Sequence, residues 1–326
     1  MAITKIPAAG FSDAVNFRNI IINGDMSIAQ RGTTSSSTGY QTVDRWQLNT
    51  GTQQEQKTDT PDARFSNSFE VTGTTSGSSG YGICSQRIES KNVLQALGQT
   101  CTLSAYVKNT GTSTVNVSCE VYRGNSTDNF SGLTLVSSLT SQAITTSWSR
   151  ITFPSFTVTD ASATGLEVRI FRHDASNNQE WLITGVQLEV GTTASDFEFL
   201  PVDVNYQRCA RYYYVFADRR GTANPATEQK GIGLGVTHYL NQVICEITVP
   251  TIMRTHPSYD QITGTDYFVY YHDQTSDYFD SFVGFAQLGN RKIMVRNTNQ
   301  ISASLGTCGQ VYINNTSAFA ALDAEL

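Results

Sequence analysis

Along much of the chain apolar and polar residues alternate one for one. The runs Thr102–Val107 (TLSAYV), Val115–Tyr122 (VNVSCEVY), Leu166–Phe171 (LEVRIF) and Trp181–Val186 (WLITGV) show it most clearly. A strand points successive side chains to opposite faces, so each run places one set in a core and the other in solvent. Clusters of Gly, Asn, Ser and Thr separate the runs at short intervals, the spacing of a β-sandwich or jelly roll. Helical spacing is scarce: Ser90–Leu97 (SKNVLQAL) has a cap-like Ser90, an apolar pair and a closing Gly98, which predicts one short helix. Residues 203–211 read as either a short helix or an irregular connector. At the start, 18–32 (RNIIINGDMSIAQRG) reads as a buried strand, a turn and a polar strand; Ser/Thr-rich 33–38 as a flexible loop; and Asp44-Arg45-Trp46 as a charged-aromatic anchor.

The pattern changes near residues 200–214, where Phe197-Glu198-Phe199-Leu200-Pro201 closes one region and Tyr212-Tyr213-Tyr214 with Phe216 opens another. The expected fold is therefore all-β: a jelly-roll β-sandwich over 17–203, followed by a second, smaller β-sandwich over 204–326. Strands in the second region are expected around 231–236, 243–249, 267–271, 282–288 and 292–295. No internal repeat, collagen-like tract or heptad run is present to build a shaft. Residues 1–16 read as an arm, too short to pack alone, whose Ile3, Ile6, Phe11 and Val15 call for burial against a neighbouring subunit.

Composition narrows the partners. Only 15% of the 326 residues are charged, and the formal net charge is −6 with no basic run, which argues against a phosphate-tracking surface. The N-terminus lacks a secretory pattern, and no apolar stretch approaches transmembrane length, so no membrane insertion is expected. The six cysteines form no C-x-x-C pair and have no zinc-type histidine spacing. Buried free thiols within strands are the expected state, with a Cys101–Cys119 bridge as the alternative.

Several segments together resemble the carbohydrate-binding-module-like jelly roll of bacteriophage tail-fibre and receptor-binding proteins. They are Arg18–Trp46, Gln187-Leu188-Glu189-Val190-Gly191 and Arg208-Cys209-Ala210-Arg211-Tyr212-Tyr213, which bracket about residues 17–214. Residues 247–257 (ITVPTIMRTHP) likewise resemble a strand-plus-MRxxP element of the C-terminal domains of such proteins. The resemblance implies a structural virion protein, a tail-fibre or spike subunit that contacts a host-surface glycan. It also implies a homotrimer, attached to other virion proteins through the arm. Because the jelly roll often holds a structural calcium, 23–25 and 187–189 come under scrutiny, yet the dense carboxylate pattern calcium needs is absent and no metal or cofactor is expected. Asp25, Arg31, Asp44, Arg45 and Trp46 read instead as a structural anchor in which Asp–Arg pairing pins the N-terminal hairpin.

Trp46, Trp148 and Trp181 sit in strand-like surroundings and read as core residues rather than sugar platforms. The tyrosine-rich stretch 267–280 (YFVYYHDQTSDYFD) offers two readings. It is a contact surface, with Tyr267, Tyr270, Tyr271, His272, Asp273 and Tyr278 as candidates, or an ordinary hairpin with aromatic cross-strand pairs and a polar turn. Catalysis finds no motif: there is no G-x-S-x-G, H-E-x-x-H or P-loop, and His173, His238, His256 and His272 are scattered singly. The expected protein is not an enzyme. A capsid decoration or tail adaptor is the alternative role, and a polysaccharide depolymerase, which would need a carboxylate pair, is the lesser one.

Overall fold

A computed structural model describes residues 17–74, 82–111, 114–172, 180–220, 230–287 and 291–326. The arm residues Ile3, Ile6 and Phe11 lie outside the described residues. The chain divides into two compact units, 1–205 with Leu326, and 206–325.

Among the described residues the first unit contains twelve strands: β1 (Thr34–Ser35), β2 (Gln47–Thr50), β3 (Gln53–Lys57), β4 (Ser68–Thr72), β5 (Gly82–Ile88), β6 (Thr100–Asn109), β7 (Val115–Ser126), β8 (Asn129–Ile144), β9 (Ser149–Thr152), β10 (Phe156–Thr157), β11 (Leu166–Arg172) and β12 (Glu180–Val190). They form two antiparallel sheets. One has the order β1-β3-β4-β12-β6, with β9 and β10 both paired to β6; the other has the order β2-β5-β11-β7-β8. The alternation read from the sequence supplies the shared core: Leu103, Ala105, Val107 and Ile183 come from the first sheet, and Val117, Cys119, Val121, Val168 and Ile170 from the second. This is the jelly-roll sandwich. Burying such a side chain contributes roughly 1.5–3 kcal/mol, so two lined faces hold the sheets together.

The N-terminal stretch departs from the expected strand and hairpin. Residues 18–33 contain no strand, because amide side chains take over the hydrogen bonding of a buried backbone that must be satisfied somehow. Ile22 N donates to Gln86 Oε1 and Gln86 Nε2 donates to Ile22 O, both at 2.8 Å. Asn19 Oδ1 accepts from Ile21 N and Leu188 N, and Asn19 Nδ2 donates to the Val186 carbonyl. Asn23, left-handed at φ 55°, donates to the carbonyls of Ile28 and Asp44. The segment expected to be a loop includes β1, paired with β3.

The expected anchor residues are held by amides and by an aromatic ring. Trp46 is fully buried and donates from Nε1 to Asn23 O at 3.1 Å. Buried Asp44 accepts from Gln30 N at 2.9 Å and from Gln30 Nε2. Burial raises its carboxyl above the ordinary value despite the opposing Arg31 charge and the Gln30 hydrogen bonds. Arg31 and Arg45 lie over the Tyr40 ring, 5.7 and 5.9 Å from its centroid. Asp25 accepts from Asn205 Nδ2 at 3.0 Å, and Glu189 accepts from Gln187 and Ser195. Oxygens considered for calcium thus accept from backbone and side-chain donors of the protein, and among the described residues no group of three metal-ligating His, Cys, Asp or Glu side chains forms.

Further differences are local. Ser90 is not the cap but the first residue of α1 (Ser90–Val93), where Glu89 precedes it and Asp128 receives both its N–H and its hydroxyl. Trp148 is half-buried rather than core and donates to Asp59 Oδ1 at 2.8 Å. Cys101 and Cys119 are free and lie in opposite sheets, on β6 and β7, and Cys308, expected to be buried, is exposed. Residues 202–210 form α2 (Val202–Ala210).

The second unit contains β13 (Tyr213–Asp218), β14 (Gly231–Tyr239), β15 (Gln242–Thr248), β16 (Ser258–Ile262), β17 (Phe268–His272), β18 (Thr275–Phe279), β19 (Gly284–Gln287), β20 (Lys292–Thr298), β21 (Cys308–Ile313) and β22 (Phe319–Asp323). A three-stranded sheet, β13-β22-β16, faces a seven-stranded one, β18-β17-β21-β14-β15-β20-β19. Ala217, Ala320 and Leu322 from the first pack with Val243, Ile247, Phe268, Val295 and Val311 from the second, giving a smaller β-sandwich. Arg254 of the MRxxP element ties down the end of β22: Nε donates to Ala324 O and Nη2 to Glu325 O, each at 2.7 Å.

Candidate functional site

The tyrosine-rich stretch is the β17–β18 hairpin. Its turn residues Asp273 and Gln274 are both left-handed, at φ 45° and 64°, as a two-residue turn matching strand twist requires. Alternation divides the six candidates. Phe268, Tyr270 and His272 point inward. Tyr270 is 0% exposed and donates its hydroxyl to Thr307 O at 2.7 Å. His272 is 5% exposed, with Nε2 3.0 Å from Asp277 Oδ2. Tyr267 packs half-buried against the core. Tyr270 and His272 are therefore structural residues, since a side chain inside the sandwich offers nothing to a ligand.

Asp277 links the hairpin to the chain beyond β20. It accepts from Ser302 N and Oγ and from Ala303 N. Burial alone would raise its carboxyl, but these donors and His272 outweigh that and hold it below the ordinary value.

Tyr271 and Tyr278, each 46% exposed, lie on the outer face. Register places Tyr271 opposite Gln310 of β21, and Gln310 opposite Leu234 of β14. Directly opposed residues share a face, so Tyr271, Gln310 and Leu234 form one row. Tyr278, Val269 and Tyr312 form the next. Beside them, on β21, β14, β15 and β20, runs an open groove of about 470 Å³ lined by Leu234, Val236, Ile244, Met294, Cys308 and Gln310. Leu234 is 73% exposed. The polar groups at hand are the Gln310 amide, the exposed Cys308 thiol and Glu246, which pairs with Lys292 at 2.6 Å.

Glycine shapes this face from below. Gly235 and Gly309 are cross-strand partners, and both present their hydrogen to the core. A Cβ on Gly235 would lie 2.8 Å from Val243 Cγ2 and 2.9 Å from Val311 Cγ2; one on Gly309 would collide with the Tyr271 carbonyl oxygen. In β14 the usual order is thereby inverted: Gly233 and Gly235 lie inside, while Leu234 and Val236 point out. That inversion hid the groove from the sequence, where apolar alternation reads as core.

On the outer face of the first unit's five-stranded sheet, the part formed by β5, β11 and β7 is filled by its own pairs. Glu167, opposite Arg87 and Tyr122 in register, has a side chain of 0% exposure and receives Arg87 Nε at 2.9 Å and Arg169 Nε at 2.5 Å. Arg169 lies 4.5 Å from the Tyr122 ring centroid, and the Tyr122 hydroxyl donates to Glu120 at 2.7 Å.

The fold and site define a two-sandwich, all-β protein in which the described residues include an open aromatic and apolar sheet face. No family model matches the chain, and no curated protein matches it in sequence. Solved structures similar to part of it include the CBM22-1 xylan-binding domain from Paenibacillus barcinonensis Xyn10C, at 14% identity and a TM-score of 0.34, covering 50% of this chain and 94% of that one. Another is a putative sugar binding protein from Bacteroides thetaiotaomicron, at 16% identity and a TM-score of 0.35, covering 53% of this chain and 100% of that one. A third is the enzymatically active domain of bacteriophage CBA120 tailspike protein 4, at 15% identity and a TM-score of 0.35, where 53% of this chain spans 22% of that one. Among the described residues no helix is long and apolar enough to cross a membrane.

Proposed function

We propose that the protein is a non-catalytic virion component of a tailed bacteriophage, a tail-fibre or spike subunit that contacts a host-surface glycan through the outer face of β17, β18 and β21. The observation that carries this reading is the exposed pair Tyr271 and Tyr278, aligned in rows with Gln310 and Tyr312. Tyrosine supplies rigid amphipathic area at low entropic cost, which suits the apolar face of a sugar ring, and an amide beside it supplies donors and acceptors for hydroxyls. In a homotrimer, three such faces convert weak single-site binding into avidity, and the arm around Ile3, Ile6 and Phe11 serves attachment to other virion proteins.

The test is sedimentation of the purified chain together with its binding to intact host cells and to extracted surface polysaccharide. A trimer that binds both, and loses binding in Tyr271→Ala and Tyr278→Ala while the polymer stays intact, supports the proposal. A species that ignores cells and polymer points to a capsid decoration or tail adaptor, and shortened polymer chains point to a depolymerase.

A further inference from the structure

We infer that the ligand of this face is a glycan carrying an apolar substituent, an acyl or alkyl group that lies in the groove while its sugar rests on Tyr271 and Gln310. The inference rests on the glycan reading proposed above and adds the chemistry of the second half of the site. The row Tyr271, Gln310, Leu234 runs without a break from the aromatic surface into the groove. Beyond Leu234 the character changes. Val236 opposes both Cys308 and Ile244, and Met294 opposes Glu246, so the lining across four adjacent strands is aliphatic or sulfur-bearing, with Glu246 as its charged residue.

A plain sugar hydroxyl placed against Val236, Ile244 or Met294 would lose water without gaining a partner, which is unfavourable. An aliphatic chain has no such penalty and gains from every methylene it removes from water. At about 470 Å³ the groove falls within the size range of small-ligand sites, which pair a mostly apolar lining with a few placed polar groups. A shallower depression of about 310 Å³, lined in part by Gly231, Tyr312 and Val311, shares Leu234 and Gln310 with it. Leu234 and Gln310 therefore stand where an aromatic-polar subsite meets an apolar one.

The protein carries its own reporter. Cys308 is exposed in the groove, and the other five cysteines are buried; burial pushes the thiols of Cys101 and Cys245 up to about 11 and about 12. A maleimide therefore labels Cys308 selectively. The experiment compares methyl β-D-glucoside, n-octyl β-D-glucoside below its micelle-forming concentration, and 1,2-octanediol, each for affinity by calorimetry and for slowing of Cys308 labelling in the full chain. The expected result is octyl glucoside binding at least about tenfold more tightly than methyl glucoside, as burial of two methylenes gives. Octyl glucoside should also slow Cys308 labelling and bind more tightly than the diol. Leu234→Lys, at a 73% exposed position, should remove the octyl advantage.

Equal affinity for the two glucosides, or octyl glucoside binding with no effect on Cys308, overturns the inference and leaves the glycan reading standing. If the diol matches octyl glucoside while methyl glucoside does not bind, the sugar contributes nothing and the glycan reading of this face falls as well. Failure of both glucosides to bind or protect overturns the inference outright.

Discussion

The two sandwiches treat their polar residues in opposite ways. In the first unit, Asn19, Asn23, Gln86 and Gln187 are buried and satisfied, holding a loop in place of a strand, and on the outer face of the five-stranded sheet the part formed by β5, β11 and β7 is closed by Arg87, Glu167, Arg169 and Tyr122 acting on one another. In the second unit an aliphatic and aromatic core encloses fewer polar groups, among them His272 and Asn297, and the outer face of the seven-stranded sheet carries Tyr271, Tyr278, Leu234 and Met294 beside Gln310 and the Glu246–Lys292 pair. A satisfied polar network specifies one arrangement and leaves nothing over for a partner. An exposed apolar patch leaves free energy unused until something binds. On the function proposed above, the first unit is the scaffold and the second makes the contact.

The three tryptophans all lie in the first unit, so tryptophan fluorescence follows that unit while near-ultraviolet tyrosine dichroism follows the second more closely. The strongest test of the contrast is Asp44→Ala. Removing the carboxylate takes the acceptor away from both the Gln30 N–H and the Gln30 side-chain amide, so a loss of about 3 kcal/mol is expected in the tryptophan-detected urea transition. A loss below about 1 kcal/mol would show that the anchor is dispensable. Next in size is Gly309→Ala, whose Cβ would collide with the Tyr271 carbonyl and lie 2.7 Å from Tyr270 Cε2. Overpacking of this kind costs about 1–3 kcal/mol, and the tyrosine-detected transition should shift while the tryptophan signal holds. If both move together, the units unfold as one.

How much of this was legible in the sequence depends on which face of each strand is buried. Strands β6, β7, β11 and β12 have one face in the core, and their alternation announced them. Strand β8 is a sixteen-residue strand with few buried positions, and β3 reads QQEQK; neither carries a hydrophobic period, so neither was visible. Ile20-Ile21-Ile22 carries the right residues for a strand, but its hydrogen-bond partners, Gln86 and Leu188, are distant in sequence and one of them acts through its side chain. The tyrosine stretch was half legible: its composition marked the hairpin, but only register separates outward Tyr271 and Tyr278 from inward Tyr270 and His272. The groove was illegible because Gly235 and Gly309 occupy the inward positions and push the apolar residues of β14 outward.

A smaller effect concerns acid. The Asp277 carboxyl is held below its ordinary value in the folded state, so its contribution is present above the usual carboxylate pKa of about 3.9 and is lost as pH falls through the lowered folded value. Asp44 has the opposite sign: its raised folded value makes the ionised form unfavourable, so its contribution weakens as pH rises through that value. Asp277→Asn should therefore lower the second unit's stability at neutral pH by up to about 1 kcal/mol. The gap from the parent should close in denaturation curves recorded below about pH 4. A gap that persists unchanged in acid would sink the assignment of Asp277 as an ionised clamp.

The smallest stability effect should accompany the largest effect on binding. Tyr271 and Leu234 are exposed, so Tyr271→Ala and Leu234→Ser should each alter the second unit's stability by no more than about 0.5 kcal/mol. Arg169→Ala in the first unit removes a pair on the closed face and should leave cell binding untouched, with a modest stability loss of about 1 kcal/mol. Flow-cytometric binding of the labelled proteins to host cells, set beside their melting curves, separates the two faces. If Arg169→Ala abolishes binding while Tyr271→Ala does not, the closed face is the contact surface and the roles assigned to the two units must be exchanged, because a side chain already satisfied within its own sheet would then be giving up its partners to the receptor.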